Sequence, residues 1–336
     1  MSTIKISRRT FSAGILATTP LIMAGRAANA QGLKEISYIT PFGHSAVYAP
    51  AYVAATDGHF EKNGLKVNII PGNGSSAAVQ QAVAGQVQVA RTGGIDVVRA
   101  ISGAKAPIRA VGTICHTSTW WIVSTAAKPV KTPADLVGKT VGIVSAGGGS
   151  ENTMDIVLTT AGVAHDSVKR QVVGNSPGAL DLVKLGRIDA FICDQAVVVA
   201  LRAMNAEVAM MSVDPYVAIP GQVYLASQKT IDEQPEIILA FLKSIRSAVN
   251  QIADDASGDQ TLAAMKPFNF PELSNPAAAK ATVRAELNLW LARGRDNICK
   301  IMPDAWEKGW AQMVSAGLAT QGDPSLAYTT KFSKQL

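Results

Sequence analysis

Apolar and polar positions repeat on one plan twice along this 336-residue chain. The first copy centres on Gly72–Ala90, GNGSSAAVQQAVAGQVQVA, and the second on Gly174–Ile192, GNSPGALDLVKLGRIDAFI. Each follows a β-branched run, Val67–Ile70 and Val172–Val173, then has a Gly/Asn/Ser corner, a short amphipathic helix, a glycine and a new apolar strand. Ala78, Val79, Ala82 and Val83 share one helical face, as do Leu180, Val183 and Leu185 less strictly. Ser75 and Ser176 are expected to cap the two helices, because a serine hydroxyl can accept from a first-turn N–H. Gly85 and Gly186 stand where a left-handed residue ends a helix.

The repeat extends upstream. Strands are predicted at Ile36–Ile39 and Val141–Val144, each followed by a loop (Thr40–Ser45, Ser145–Ser150) and a helix closing near Gly58 or Gly162. Strand, loop, helix, strand, helix, strand, used twice, argues for two α/β lobes with mainly parallel strands. Such folds bind ligands outside the carboxyl ends of their strands, which directs attention to the strand-to-helix loops.

Five stretches carry the candidate ligand-binding residues. His44 and Ser45 lie in the first loop and are placed to donate to a ligand, with capping as the competing role for His44. Thr92 and Gly93 follow the next strand and offer a hydroxyl and exposed amides; the neighbouring Arg91 either pairs with a carboxylate or sulfonate or is solvated, and solvation is the favoured reading. Trp120 and Trp121 are adjacent in a strand and face opposite ways, Trp120 being assigned to the cleft. Ser145, Gly149 and Ser150 belong to the mirror-image loop, where glycines bring backbone close to a ligand and Ser150 can cap the helix. Asp194 follows four apolar residues and either accepts from a ligand N–H or caps the next helix. Cys115–Thr119 is the expected first crossing between lobes, and Pro215–Gly221 the return to a strand at Val223–Ala226. The remainder reads as helices over Pro235–Ala253, Ala277–Arg293 and Ala305–Ala316.

Residues 1–30 have the layout of a secretory signal: the twin-arginine pair Arg8-Arg9, a short apolar run over Ala13–Ala24, and Ala28-Asn29-Ala30 as a small-x-small cleavage site. The arginine pair points to the Tat route. The segment holds Lys5, Arg8, Arg9, Arg26 and no acid, so the net charge of +6 falls to +2 without it. The basic balance therefore belongs largely to the signal and is no sign of nucleic-acid binding.

Other chemistries find little support. Gly72-x-Gly74-x-x-Ala77 superficially matches a dinucleotide fingerprint, but Pro71 interrupts the junction, no acid ends the following strand, and the second copy lacks the glycines. The three cysteines, Cys115, Cys193 and Cys299, form no C-x-x-C, and the histidines are dispersed, so neither a metal nor another cofactor is expected. The serine loop is not G-x-S-x-G.

Three motifs, TPADLVGKTVGI from Thr132, YVAATDGHFEKNGLKV from Tyr52 and PEIILAFLKSIRSAV from Pro235, carry a resemblance. The chain resembles periplasmic solute-binding proteins of ABC transporters, in the group that includes nitrate, sulfonate and thiamine-pyrimidine binders, from about Ile36 to Asn250. The resemblance implies a type II periplasmic-binding-protein fold: two Rossmann-like lobes joined by a two-crossing hinge, with residues 31–116 and 217–336 in lobe 1 and 117–216 in lobe 2. It implies a non-catalytic monomer in the periplasm, a small solute (a sulfonate, a nitrate-like anion, a pyrimidine or an aromatic acid), and a membrane permease with its ATPase as partners. Two alternatives share the fold. One is a pyrimidine-synthase-like enzyme, disfavoured by the lack of clustered cysteines; the other is the receptor of a TRAP-type transporter.

Overall fold

Two five-stranded sheets have the same strand order. In the computed structural model, which describes residues 32–336, the first sheet opens with β1 (Lys34–Ile39), α1 (Ala49–Thr56), the short α2 (His59–Lys62), β2 (Leu65–Ile70), α3 (Ser75–Val83), β3 (Val89–Thr92), α4 (Gly94–Ala104) and β4 (Ile108–Cys115). The chain then crosses to β5 (Trp120–Thr125), β6 (Thr140–Ile143), α5 (Gly149–Thr160), β7 (Lys169–Val172), α6 (Ala179–Lys184), β8 (Ala190–Asp194), α7 (Gln195–Ala203) and β9 (Val208–Ser212). It returns as β10 (Gln222–Ser227), followed by α8 (Gln228–Glu233), α9 (Pro235–Asp254), α10 (Asp259–Met265), α11 (Pro276–Trp290) and α12 (Pro303–Ser315). The expected signal, residues 1–30, lies outside the described residues.

The orders are β2-β1-β3-β10-β4 and β7-β6-β8-β5-β9. The expectation of mainly parallel strands holds with one exception per sheet: β10 and β5 run antiparallel to both neighbours. Each of these is the strand that follows a crossing. It starts beside the carboxyl end of its neighbour, Val223 opposite Thr92 and Trp120 opposite Asp194, so it must run back against the parallel strands.

The crossings are tied to each other and to their surroundings. The Ser118 N–H donates to the Asp214 carboxylate at 2.8 Å, and Gly94 N–H to the Pro220 carbonyl at 3.1 Å. α12 braces the return crossing: Gln312 accepts from Ala218 N–H at 2.8 Å and donates to the Tyr216 carbonyl at 3.0 Å. Trp306 and Trp310 of α12 are buried in a core that also takes in Ile95, Ile156 and Ile219, so apolar packing runs through the hinge region between the sheets. On its outer face the first sheet packs against α9, whose Ile238, Phe241, Leu242, Ile245 and Val249 recur at helical spacing. Phe241 meets Tyr38, Phe60 and Tyr224 with centroids 5.1, 5.4 and 5.2 Å away.

The serine caps expected in the two repeats are not formed. α3 begins at Ser75 itself, with Gly74 (φ 114°) in the cap position, and Pro177 and Gly178 hold a turn that delays α6 to Ala179. Gly85 and Gly186 do adopt left-handed conformations, φ 72° and 66°. The G-x-G pattern has a local purpose. A Cβ on Gly72 would stand 1.9 Å from the Thr40 carbonyl, and Gly72 and Gly74 donate to the Phe42 and Pro41 carbonyls at 3.1 and 2.6 Å. These amides knit two loops together.

Candidate functional site

The carboxyl ends of the parallel strands in both sheets face one cleft. The first lobe brings the loop after β1, the end of β3 and the start of α4; the second brings the start of β5, the loop before α5 and the end of β8. Phe42, 52% exposed, lines three adjoining spaces: a central one of about 200 Å3, a wider one of about 460 Å3 toward α7 and α11, and a narrow one of about 60 Å3 between the starts of α4 and α5. The lobes touch on either side, where α11 packs on α7 and α4 on α5, and the Arg99 guanidinium donates to the Gly147 carbonyl at 2.9 Å.

Arg91 stands at the wall of the central space and is only 2% exposed. Its Nε donates to Gln222 Oε1 at 3.2 Å and its Nη1 to the Val47 carbonyl at 3.1 Å. The guanidinium lies over the Tyr48 ring, 5.0 Å from the centroid. Among the described residues no carboxylate forms a salt bridge with it. A guanidinium stays charged even when buried, so the cleft holds a positive charge held in place by neutral partners.

Asp194 reaches the same space from the second lobe. Of the two roles considered for it, the helix cap is formed. Its Oδ1 accepts from Val197 N–H at 3.1 Å and caps α7, while its Oδ2 accepts from the Asn175 amide at 2.8 Å at the edge of the cleft. Burial raises its pKa, opposed by these hydrogen bonds. Trp120 is paired with Asp194 in the β5–β8 register and lines the central and narrow spaces. Trp121 points the other way, donating to Gln195 Oε1 at 2.8 Å beneath Arg202.

The remaining expected residues divide. Gly93, Ser145, Gly149 and Ser150 line the narrow space. Ser150 does not cap α5, whose cap is Gly148; its hydroxyl accepts from Val144 N–H at 3.0 Å and fixes the strand end. His44 and Ser45 line the wider space but are engaged within the first lobe. His44 Nδ1 is 3.0 Å from the Tyr52 hydroxyl, and burial lowers its pKa. The Ser45 hydroxyl donates to Glu272 at 2.9 Å. Thr92 is fully buried, donates to Asp96 at 3.0 Å, and lines none of these spaces. Among the described residues no His/Cys/Asp/Glu cluster could hold a metal ion.

The family model described as NMT1/THI5 like matches residues 45–257. The chain belongs to that family. A formylaminopyrimidine-binding protein of Halalkalibacterium halodurans is 26% identical over 166 residues, and the match spans 49% of this chain and 49% of that relative. Among solved structures, a protein of Bordetella bronchiseptica RB50 superposes with a TM-score of 0.69 at 20% identity, covering 90% of this chain and 96% of the other. The alkanesulfonate-binding protein SsuA of Xanthomonas axonopodis pv. citri, bound to MOPS, gives 0.66 at 14% identity over 87% and 96%. The aliphatic sulphonate-binding SsuA of Escherichia coli gives 0.66 at 18% over 85% and 91%. At these identities the structures establish the fold, which is that of the periplasmic binding proteins, as the sequence resemblance implied.

The family motifs themselves are structural. In TPADL, the Asp135 carboxylate accepts from Lys131 and Thr132 N–H at 2.9 and 2.8 Å, fixing a turn. In GHFEKNGL, the Asn63 amide donates to the His59 carbonyl and the Ser244 hydroxyl at 2.9 and 3.0 Å, anchoring α2 to α9.

Three cleft residues were not read correctly from sequence. Of the two readings of Arg91, the favoured one, solvation, is contradicted by its burial; its place one residue before the end of β3 signalled only that it stood near a ligand loop. Asn175 repeats Asn73 of the first Gly-Asn corner, and that repetition was its available signal. Glu286 lies on α11, far from any strand end, and nothing local in the sequence marks it.

Proposed function

We propose that this protein is an exported solute receptor of an ABC importer, which closes its two lobes on a small polar or anionic organic solute and presents the closed form to a membrane permease and its ATPase. One observation carries the reading: Arg91 is a buried cation inside the cleft with no carboxylate paired to it among the described residues. An uncompensated buried charge is expensive, and an anionic or carbonyl group on a solute would offset that cost. The amides at the start of α5, which line the narrow space, add a preference for negative charge. Trp120 supplies an aromatic face from the opposite lobe. A solute touching both lobes would favour the closed form through contacts the open form cannot make.

Its ligand-binding residues on this reading are Arg91, Gly93, Trp120, Ser145, Gly149 and Asp194, with His44, Ser45 and Ser150 shaping the walls and Thr92 supporting Asp96 beneath them. A binding rather than catalytic role is supported by the cysteines. All three are free and buried, and burial pushes each thiol well above its ordinary pKa, Cys299 to about 12, which suits packing and not nucleophilic attack. The arginine-rich leader supports export and so a periplasmic working site. Among the described residues no helix is long and apolar enough to cross a membrane.

A thermal-shift screen of the purified protein against sulfonates, nitrate, pyrimidines and aromatic acids tests the reading. A solute that binds only the folded protein stabilises it by about 2.7 kcal/mol at a hundred times its Kd, a rise of several degrees. Absence of any shift across all four classes would count against a receptor.

A further inference from the structure

Helix α11 lies outside the segment matched by the family model, yet it contributes a wall residue to the central space. Glu286 is 3% exposed on the face of α11 that also buries Val283, Leu287 and Trp290. It lines the same space as Arg91 and Asp194; its Oε2 makes no hydrogen bond of good geometry, though the Trp290 indole N–H, likewise unpaired, is near enough to favour its ionised form. Glu286 feels both of the others: burial disfavours its ionised form, Arg91 favours it and Asp194 disfavours it. No salt bridge joins Arg91 to either carboxyl among the described residues. One buried cation, one buried carboxyl and the half-buried Asp194 carboxyl therefore line one space without a direct ion pair between them.

We propose that Glu286 is a ligand-contacting residue, and that the cleft takes a dipolar solute carrying an anionic group for Arg91 and an N–H or ammonium donor for Glu286 and Asp194. This deepens the receptor reading and rests on it. A simple anion would satisfy Arg91 and add a third negative group beside the two carboxyls. A simple cation would leave Arg91 unanswered and add a second positive charge. Only a solute with both ends offsets the buried charges of both signs. The central space of about 200 Å3 suits a small solute, and Trp120 and Tyr48 favour a flat or apolar middle.

Calorimetric titrations at pH 8 with matched pairs of solutes test the inference. The pairs are taurine against ethanesulfonate, and 4-(aminomethyl)benzoate against 4-methylbenzoate; within each pair the members differ in the amino group. A hydrogen bond to a buried charged group is worth about tenfold or more in affinity, so the amino member of at least one pair should bind about tenfold tighter or better. In Glu286→Gln that advantage should shrink severalfold while the anion-only member keeps its affinity. Equal binding of both members would overturn the inference and leave the receptor reading standing. A preference that survives unchanged in Glu286→Gln would remove Glu286 from the contact set. Equal weakening of both members in a folded variant would make Glu286 a structural residue. Binding of none of the four would overturn the inference, and the receptor reading would then rest on the thermal-shift screen with nitrate and pyrimidines. The comparison within the wild-type protein does not depend on how the variant folds.

Discussion

Gly221 presses against the carbonyl of Thr117: a Cβ added there would stand 2.1 Å from that oxygen. The two segments that join the lobes thus meet backbone to backbone, and only a glycine permits the approach. Ile219 and Pro220 are similarly wedged against Gly309 and Gly94, where an added Cβ would come within 2.7 Å of them.

Gly221→Ala should therefore separate the crossings. Backbone cannot give way as a flexible side chain does, and overpacking of this kind costs about 1–3 kcal/mol. Urea unfolding should show a loss of that size. Gly103→Ala, where nothing lies within 4 Å, should not.

Arg91→Lys should keep the fold and lose the ligand. Lysine cannot hold Gln222, the Val47 carbonyl and the Tyr48 ring together as the planar guanidinium does. Losing a buried charged contact costs about 2–5 kcal/mol, so affinity for an anionic solute should fall about 30-fold or more. Titration calorimetry beside circular dichroism checks both halves of the statement.

Trp120 and Trp121 should separate binding from stability. Trp120→Ala removes cleft surface, and a central aromatic contact is worth about 2 kcal/mol or more, so Kd should rise about 30-fold with a small change in melting temperature. Trp121→Ala breaks the bond to Gln195 and the packing under Arg202, so the melting temperature should fall with Kd little changed. The reverse pattern would mean that the two faces of β5 are misassigned.

Glu286 should leave a mark on the pH dependence of stability. Burial raises its pKa from 4.5 to about 7, with Arg91 opposing and Asp194 adding to the rise; the Cys115 thiol also faces it. Below pH 4.5 folded and unfolded chains both hold the proton. As pH climbs to 7 the unfolded chain releases it first, so stability is lost across that window, by roughly 3 kcal/mol, and levels off above it. Urea unfolding of the unliganded protein between pH 4.5 and 8 should show this decline relative to Glu286→Gln. Parallel curves would contradict it.

The architecture was legible because it is written twice. Two strand–corner–helix–Gly–strand copies required two lobes, and α9 and the paired tryptophans of β5 followed from periodicity alone. The reversed strands were less visible, since their direction is set by where the chain re-enters a sheet. The cleft was read where its residues sit at strand ends, as with Gly93, Ser145 and Asp194. It was missed where tertiary packing decides. Arg91 looks like a surface cation until Val47 and Gln222 enclose it, and Glu286 looks like any helical glutamate until α11 folds back over the cleft. Thr92 shows the converse error: a hydroxyl at the right strand end turned inward to Asp96.

The central claim is that one small solute is held between the lobes by Arg91 from one side and by Trp120 and Asp194 from the other. A crystal structure with the tightest-binding solute from the titrations tests this most directly. The account predicts density in the central space, with an anionic or carbonyl group within hydrogen-bond distance of Arg91 and the rest of the solute against Trp120. Density elsewhere, such as the outer groove between α3 and α4, with the Arg91 cavity holding only water, would contradict it.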